Sequence, residues 1–220
     1  MMMRDAFHEE LDQISQSLLN MAALVNQAMS DATLALLAPD LTVAEKVIAA
    51  DDVIDQMQHD LDARTISLMA RQQPVASDLR TLVTSLRMSA DLERMGDMAH
   101  HIAKSARIRF PNCAVPNELT STITAMGQTA NRIITKLIQV MKDRDVIKSL
   151  EIAIDDDEMD KLHRELIGTL LDDNWSYGTE VAIDMTLIGR YYERCADHAV
   201  SISRRVYFLV TGEYFSQQQQ

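Results

Sequence analysis

The four prolines of this chain stand at positions 39, 74, 111 and 116, and the long stretches they bound carry apolar residues at helical spacing. Proline ends a helix because it lacks the backbone donor and its ring collides with the preceding turn. Residues 4–37 align Leu11, Ile14, Leu18, Met21, Val25 and Ala28 on one face. A second helix is expected to open at T-V-A-E (42–45), which has capping-box spacing, and to run to about Gln72. A third spans about Ser77 to Arg109, and the two-proline segment F-P-N-C-A-V-P-N (110–117) reads as a linker. Beyond it, helices are expected over about 118–141, over about 145–172 and from Gly178 to about Val210, with Gly212 suited to a helix C-terminus.

The second set of helices repeats the first. Displaced by 105 positions, A-A-D-D-V-I-D (49–55) overlies I-D-D-D-E-M-D (154–160), so Asp51, Asp52 and Asp55 match Asp156, Asp157 and Asp160. Across a shorter second turn the displacement is 100, and D-L-E-R-M-G-D (91–97) overlies Y-Y-E-R-C-A-D (191–197). Glu93 and Asp97 then match Glu193 and Asp197. This is an internal duplication of a three-helix unit. Short connections make neighbouring helices antiparallel, so the expected fold is all-α: two tandem antiparallel three-helix bundles, residues 1–110 and 118–212.

Composition narrows the function. A formal net charge of -12 argues against sequence-independent nucleic-acid binding, which needs Lys and Arg to neutralise phosphates. No stretch approaches the run of about 18 apolar residues that a membrane helix requires. The acidic, amphipathic start M-M-M-R-D-A-F-H-E-E-L is unlike a signal peptide, and a cytoplasmic location is expected. Cys113 and Cys195 lack metal or redox spacing and read as reduced, packed thiols.

The acids then pass a geometric test. Residues of an antiparallel hairpin lie level when they are equally far from the turn. Asp55 with Glu93, and Asp51 with Asp97, are both centred on Pro74; Asp160 with Glu193, and Asp156 with Asp197, are both centred between residues 176 and 177. At about 100° per residue, Glu93 and Asp97 fall near the line of Leu79, Leu82, Leu86 and Ala90. Asp51 and Asp55 continue Ala44, Val47 and Ile48, while Asp156 and Asp160 sit between Ile152 and Ile167. Four carboxylates on partly buried faces need compensating cations. Arg94 and Arg194 are candidates, and so is a metal; all-oxygen ligation suits Mg²⁺, Mn²⁺, Ca²⁺ or iron. His100 and His163 stand three residues after Asp97 and Asp160, within reach of the same ion, and His198 directly follows Asp197. Gly96 and Ala196 would let the helices approach closely.

S-D-L-R-T-L-V-T-S-L-R-M-S-A-D-L-E-R-M-G-D-M-A (77–99), Y-Y-E-R-C-A-D-H-A (191–199) and the start F-H-E-E-L together resemble the PhoU family of bacterial phosphate signalling over essentially the whole chain. The resemblance implies a cytoplasmic, commonly dimeric negative regulator of the phosphate-starvation response. Such a protein links a phosphate importer of the ABC class, through its ATPase subunit, to a sensor histidine kinase. It also implies metal binding (Mg, Mn, Fe or Zn) through E/D-x-x-x-D motifs, which fall here on Asp51, Asp55, Glu93, Asp97, Asp156, Asp160, Glu193 and Asp197. Met98 stands where a His is usual in the family, which sets the first copy apart from the second. No P-loop, nucleophile triad or Gly-rich phosphate cradle is present, so no catalytic activity is expected. The competing reading is a di-iron carboxylate oxidase or ferritin-like storage bundle, drawn from Asp97–His100 and Asp160–His163. A plain scaffold whose acids only pair with arginine is the third.

Overall fold

The computed structural model describes residues 2–215. Its helices are α1 (Met2–Leu37), α2 (Leu41–Gln72), α3 (Ala76–Arg109), α4 (Thr120–Asp143), α5 (Val146–Leu170) and α6 (Gly178–Thr211), with a short 3-10 turn at Asn117–Leu119. These bounds lie within a few residues of those read from apolar periodicity. The start of α2 differs. Its cap is Asp40, whose carboxylate accepts from Val43 N at 3.1 Å, so Thr42 lies inside the helix. A carboxylate directly after Pro39 outcompetes the Thr hydroxyl for the free amides of the first turn. Helix α2 ends with Gln73 in the left-handed region (φ 47°), its amide donating to Met69 O at 3.0 Å. Asp145 caps α5 by accepting from Ile147 N and Lys148 N, and Gly212 (φ 79°) closes α6 by donating to Phe208 O.

Helices α1–α3 form one antiparallel bundle and α4–α6 a second, and the bundles join along α1 against α4 and α3 against α6. Both joints are antiparallel. Asn26 reaches Thr135 while Thr33 meets Gly127, and Arg109 pairs with Asp184 while Arg80 lies over Phe208. Helices α2 and α5 occupy the two flanks, each packed on its own bundle. Buried apolar residues from all six helices form one continuous core.

The faces expected for α2 hold, with Ala44 and Val47 buried and Ile48 packed beside them. Helix α3 departs from its expected stripe. Leu82 is buried, but Leu79 and Ala90 are exposed, and Ser85, Ser89, Leu92, Gly96 and Ala99 complete the inner surface. The reason is that α3 meets α1, α2 and α6 at once, so its buried surface is too wide and too mixed in polarity for a single stripe.

A close point of contact between the bundles is Thr33 on α1. Its hydroxyl donates to Met29 O at 2.8 Å and lies 2.8 Å from the hydroxyl of fully buried Tyr192 on α6. With the threonine proton committed to Met29, Tyr192 is the donor of that second bond. Gly127 on α4 packs against the same residue: a Cβ there would stand 2.4 Å from Thr33 Cγ2. Gly168 on α5 faces open space.

One substitution at these two glycines should therefore act in opposite directions. Gly127→Ala should destabilise by about 1–3 kcal/mol, since Thr33 is locked by two hydrogen bonds and cannot yield cheaply. Gly168→Ala should stabilise by about 0.5–1 kcal/mol through helix propensity. Chemical denaturation of both variants checks the pair.

Candidate metal centres

Across the α2–α3 hairpin, Asp51 and Asp55 face Glu93 and Asp97. Burial raises the Asp51 carboxyl above its ordinary range; His100 opposes the shift, and the charges of Asp55 and Asp97 add to it. Burial likewise raises Glu93, helped by Asp97, Asp55 and Asp51 and opposed by Arg94. Across α5–α6, Asp156 is pushed up to about 6, first by burial and then by Asp160, Asp197, Asp157 and Glu193. Glu193 is raised by burial and by Asp197 and Asp160, against Arg190 and His163. The level placement expected from residue counting thus brings each set of four acids into mutual electrostatic contact. Asp52 and Asp157 lie on the exposed side.

The positive charges nearby are of two kinds. Arg94 bridges Asp97 at 2.9 Å and Glu93 at 3.4 Å, Arg194 reaches Asp197 at 3.1 Å, and Arg190 contacts Glu193. These arginines sit on the same helix as their partners and are largely exposed, so they cover the solvent side. The inner side carries imidazoles. His100 Nδ1 lies 2.6 Å from Asp51 Oδ2 in the first half. In the second half, His163 packs beside Gly189 near Glu193. The two rings come from α3 and α5, which are not equivalent helices. The halves therefore share their acids and differ in their histidines.

Several buried atoms in these clusters lack a hydrogen-bond partner: Asp51 Oδ1, Asp55 Oδ1, His163 Nε2 and Glu193 Oε2. Acceptor oxygens and ring nitrogens left without donors are the donor set that a hard or borderline cation takes. Among the described residues, no three such side chains are drawn together closely enough to hold an ion as they stand. Loading either cluster would require side-chain rotation, and all eight acids are half-buried.

His198 is absent from this arrangement. Its Nδ1 lies 3.0 Å from Asp91 Oδ1, while Ser201 Oγ and Arg205 Nε donate to Asp91 Oδ2 at 3.1 and 3.0 Å. Burial pushes the Asp91 carboxyl up, but the bonds from His198, Arg205 and Ser201 outweigh it and hold the group below the usual carboxylate range. This latch binds α3 to α6 between the two halves. With His101 stacked on Tyr191 at 5.1 Å, it fixes the register of α3 against α6. Sequence reading missed Asp91, because a single acid two residues before Glu93 gives no spacing signal. Cys195 is buried, which pushes its thiol up to about 12, and Cys113 is exposed; neither is disulfide-bonded.

These features define a class: a duplicated helical-bundle protein with carboxylate clusters on its hairpins, in which no helix among the described residues is long and apolar enough to cross a membrane. The PhoU domain model matches residues 18–106 and again 123–206, and the chain belongs to the PhoU family. It is 42% identical over 212 residues to the phosphate-specific transport system accessory protein PhoU homolog 2 of Mycobacterium tuberculosis, covering 96% of this chain and 100% of that one. To homolog 1 of the same organism it is 39% identical, covering 96% and 95%. Its fold matches the crystal structure of PhoU from Pseudomonas aeruginosa (TM-score 0.83, 28% identity, 94% and 100% covered). It also matches that of the phosphate transport system regulatory protein PhoU from Streptococcus pneumoniae (TM-score 0.83, 30% identity, 96% and 99% covered).

Two outcomes are expected from this geometry. In chelator, the Asp156 carboxyl titrates near 6 in the folded protein against 3.8 ordinarily, so the native state binds the extra proton between those values. Stability should then rise as pH falls from 7 towards 5, and Asp156→Asn should flatten the trend; urea midpoints across that range check it. Separately, Asp91→Ala strands Arg205 and should cost about 1.5–3 kcal/mol, with or without added metal.

Proposed function

We propose that this protein is a non-catalytic accessory regulator of phosphate transport and signalling. It couples a phosphate importer of the ABC class, through its ATPase subunit, to a sensor histidine kinase and acts as a negative regulator of the phosphate-starvation response. It works in the cytoplasm as a homodimer. Membership of a family whose relatives are named accessory and regulatory proteins of phosphate transport supports the biological setting. The observation that carries the physical part is the pair of acid clusters, each with burial-raised carboxyls and buried donor atoms left unsatisfied.

In this reading Asp51, Asp55, Glu93 and Asp97, with His100, hold cations in the first half. Asp156, Asp160, Glu193 and Asp197, with His163, hold them in the second. A bound cation (Mg, Mn, Fe or Zn) supplies positive charge that carboxylates of two helices share. The chain's own part is to present those carboxylates at one height on adjoining helices, so that binding cements each hairpin and stiffens the surface offered to partners.

A ligand that binds only the folded state stabilises it by about 2.7 kcal/mol at a hundredfold excess over Kd. For a chain of this size that raises Tm by roughly 5–11 °C. Saturating Mn²⁺ or Mg²⁺ should produce such a shift in the wild type and a smaller one in Asp97→Ala and Asp197→Ala. In excess EDTA the same variants should match or exceed wild-type stability, because removing one of four crowded charges relieves repulsion. A loss of about 0.2–1 kcal/mol by both variants in EDTA, the size of an exposed ion pair, would instead make the acids structural partners of arginine. Co-purification with the importer's ATPase subunit and with the kinase tests the coupling, and capture of neither would defeat the regulatory reading.

A further inference from the structure

A cleft of about 650 Å³ opens between the N-terminal half of α3 and the C-terminal end of α6, within the range of about 300–1,000 Å³ usual for small-ligand pockets. Its apolar wall includes Leu79 and Val83, 41% and 38% exposed, together with Val200 and Phe208. Leu79 is the residue that left its expected place in the core, and here it lines the cleft. Four arginines and no lysine share the lining: Arg80, Arg87, Arg204 and Arg205. In a chain of net charge -12, that is a local reversal of sign.

Only one of the four is neutralised. Arg205 belongs to the Asp91 latch, and Asp197, the sole carboxylate of the lining, is taken by Arg194. Arg80, Arg87 and Arg204 have no ion-pair partner among the described residues. Arg80 and Arg87 are seven residues apart on α3, two turns along one face and roughly 10 Å apart along the axis. Arg80 lies over the Phe208 ring at 5.3 Å, and Arg204 lies beside the Phe215 ring at 5.9 Å. Tyr214 stacks on Phe208 at 4.5 Å. Guanidinium is weakly hydrated and forked, which suits phosphate oxygens. Three unneutralised guanidiniums call for more charge than one carboxylate carries, and the apolar wall beside them calls for a ligand body that is itself apolar.

We infer that this cleft binds a phosphorylated small molecule with a planar apolar body, of mononucleotide size. Its phosphates sit on Arg80, Arg87 and Arg204, and its planar part lies against Leu79, Val83 and Phe208. The acidic remainder of the surface repels a longer nucleic-acid strand, so the ligand is a single unit. Asp197 is the one residue that this cleft shares with the acid clusters, and the assignment stands apart from the regulatory reading.

Calorimetric titration of the full-length protein with ATP tests it, run in EDTA so that no cation bridges ligand and carboxylates. Saturable binding at one site per chain is expected, weakened about tenfold or more by Arg87→Ala and by Arg204→Ala. Both arginines are exposed and lack ion pairs, so thermal melts of these variants should match the wild type. Phe208→Ala should weaken ATP while leaving tripolyphosphate unaffected. No saturable binding at millimolar ATP, or binding that both arginine variants retain, overturns the assignment. Adenosine binding as tightly as ATP removes the role of the phosphates, and tripolyphosphate binding as tightly removes the role of the apolar wall; either result also overturns it.

Discussion

Helices α1, α3, α4 and α6 each have neighbours on more than one side, and their length makes those neighbours obligatory. An amphipathic helix gains most of its stability from the face it buries, not from propensity. The duplication solves the packing by turning one bundle against the other, so that α1 meets α4 and α3 meets α6 across one continuous core. Two polar contacts in the joint are matched ones. Thr33 and Tyr192 share a hydrogen bond beside Gly127, and Asp91 takes three donors from α6. Each of these contacts ties one repeat to the other.

The acid clusters occupy a different energetic position. Their carboxyls are raised because water is partly excluded and like charges crowd together. A protein that needed only stability would place apolar or paired residues there. The exposed arginines relieve the outer oxygens, while several inner ones have no partner. The asymmetry of the imidazoles, His100 on α3 and His163 on α5, means that duplicated acids do not make duplicated sites. Two clusters of similar charge and different nitrogen supply would differ in affinity and in preferred ion.

Most of the architecture was legible because long helices and hairpins obey simple counting. Apolar periodicity and proline placement gave helix bounds, and equal distance from a turn gave the register of Asp51 with Asp97 and of Asp160 with Glu193. Counting fails where an outcome depends on three bodies. Helix α3 has no single inner face, so Leu79 and Ala90 were misplaced by a stripe argument. The Asp91 latch joins residues over a hundred positions apart, on helices whose rotation no local pattern fixes. The cap at Asp40 was a competition between two good capping residues. The arginine cleft lies between α3 and α6, and the spacing of Arg80, Arg87 and Arg204 in the chain does not announce it.

The flank positions of α2 and α5 have a further consequence. Each packs on one bundle only, and each carries one side of an acid cluster. Native proteins open in cooperative pieces whose free energies follow how much each piece buries. Here the inner four helices make up the deep unit, and the flanks are the pieces expected to exchange their amide protons by shallower openings. A cation shared across a hairpin would deepen the flank opening and leave the inner unit almost untouched. The molecule would then convey its ionic state through how often its outer helices lift away, with no rearrangement of its centre.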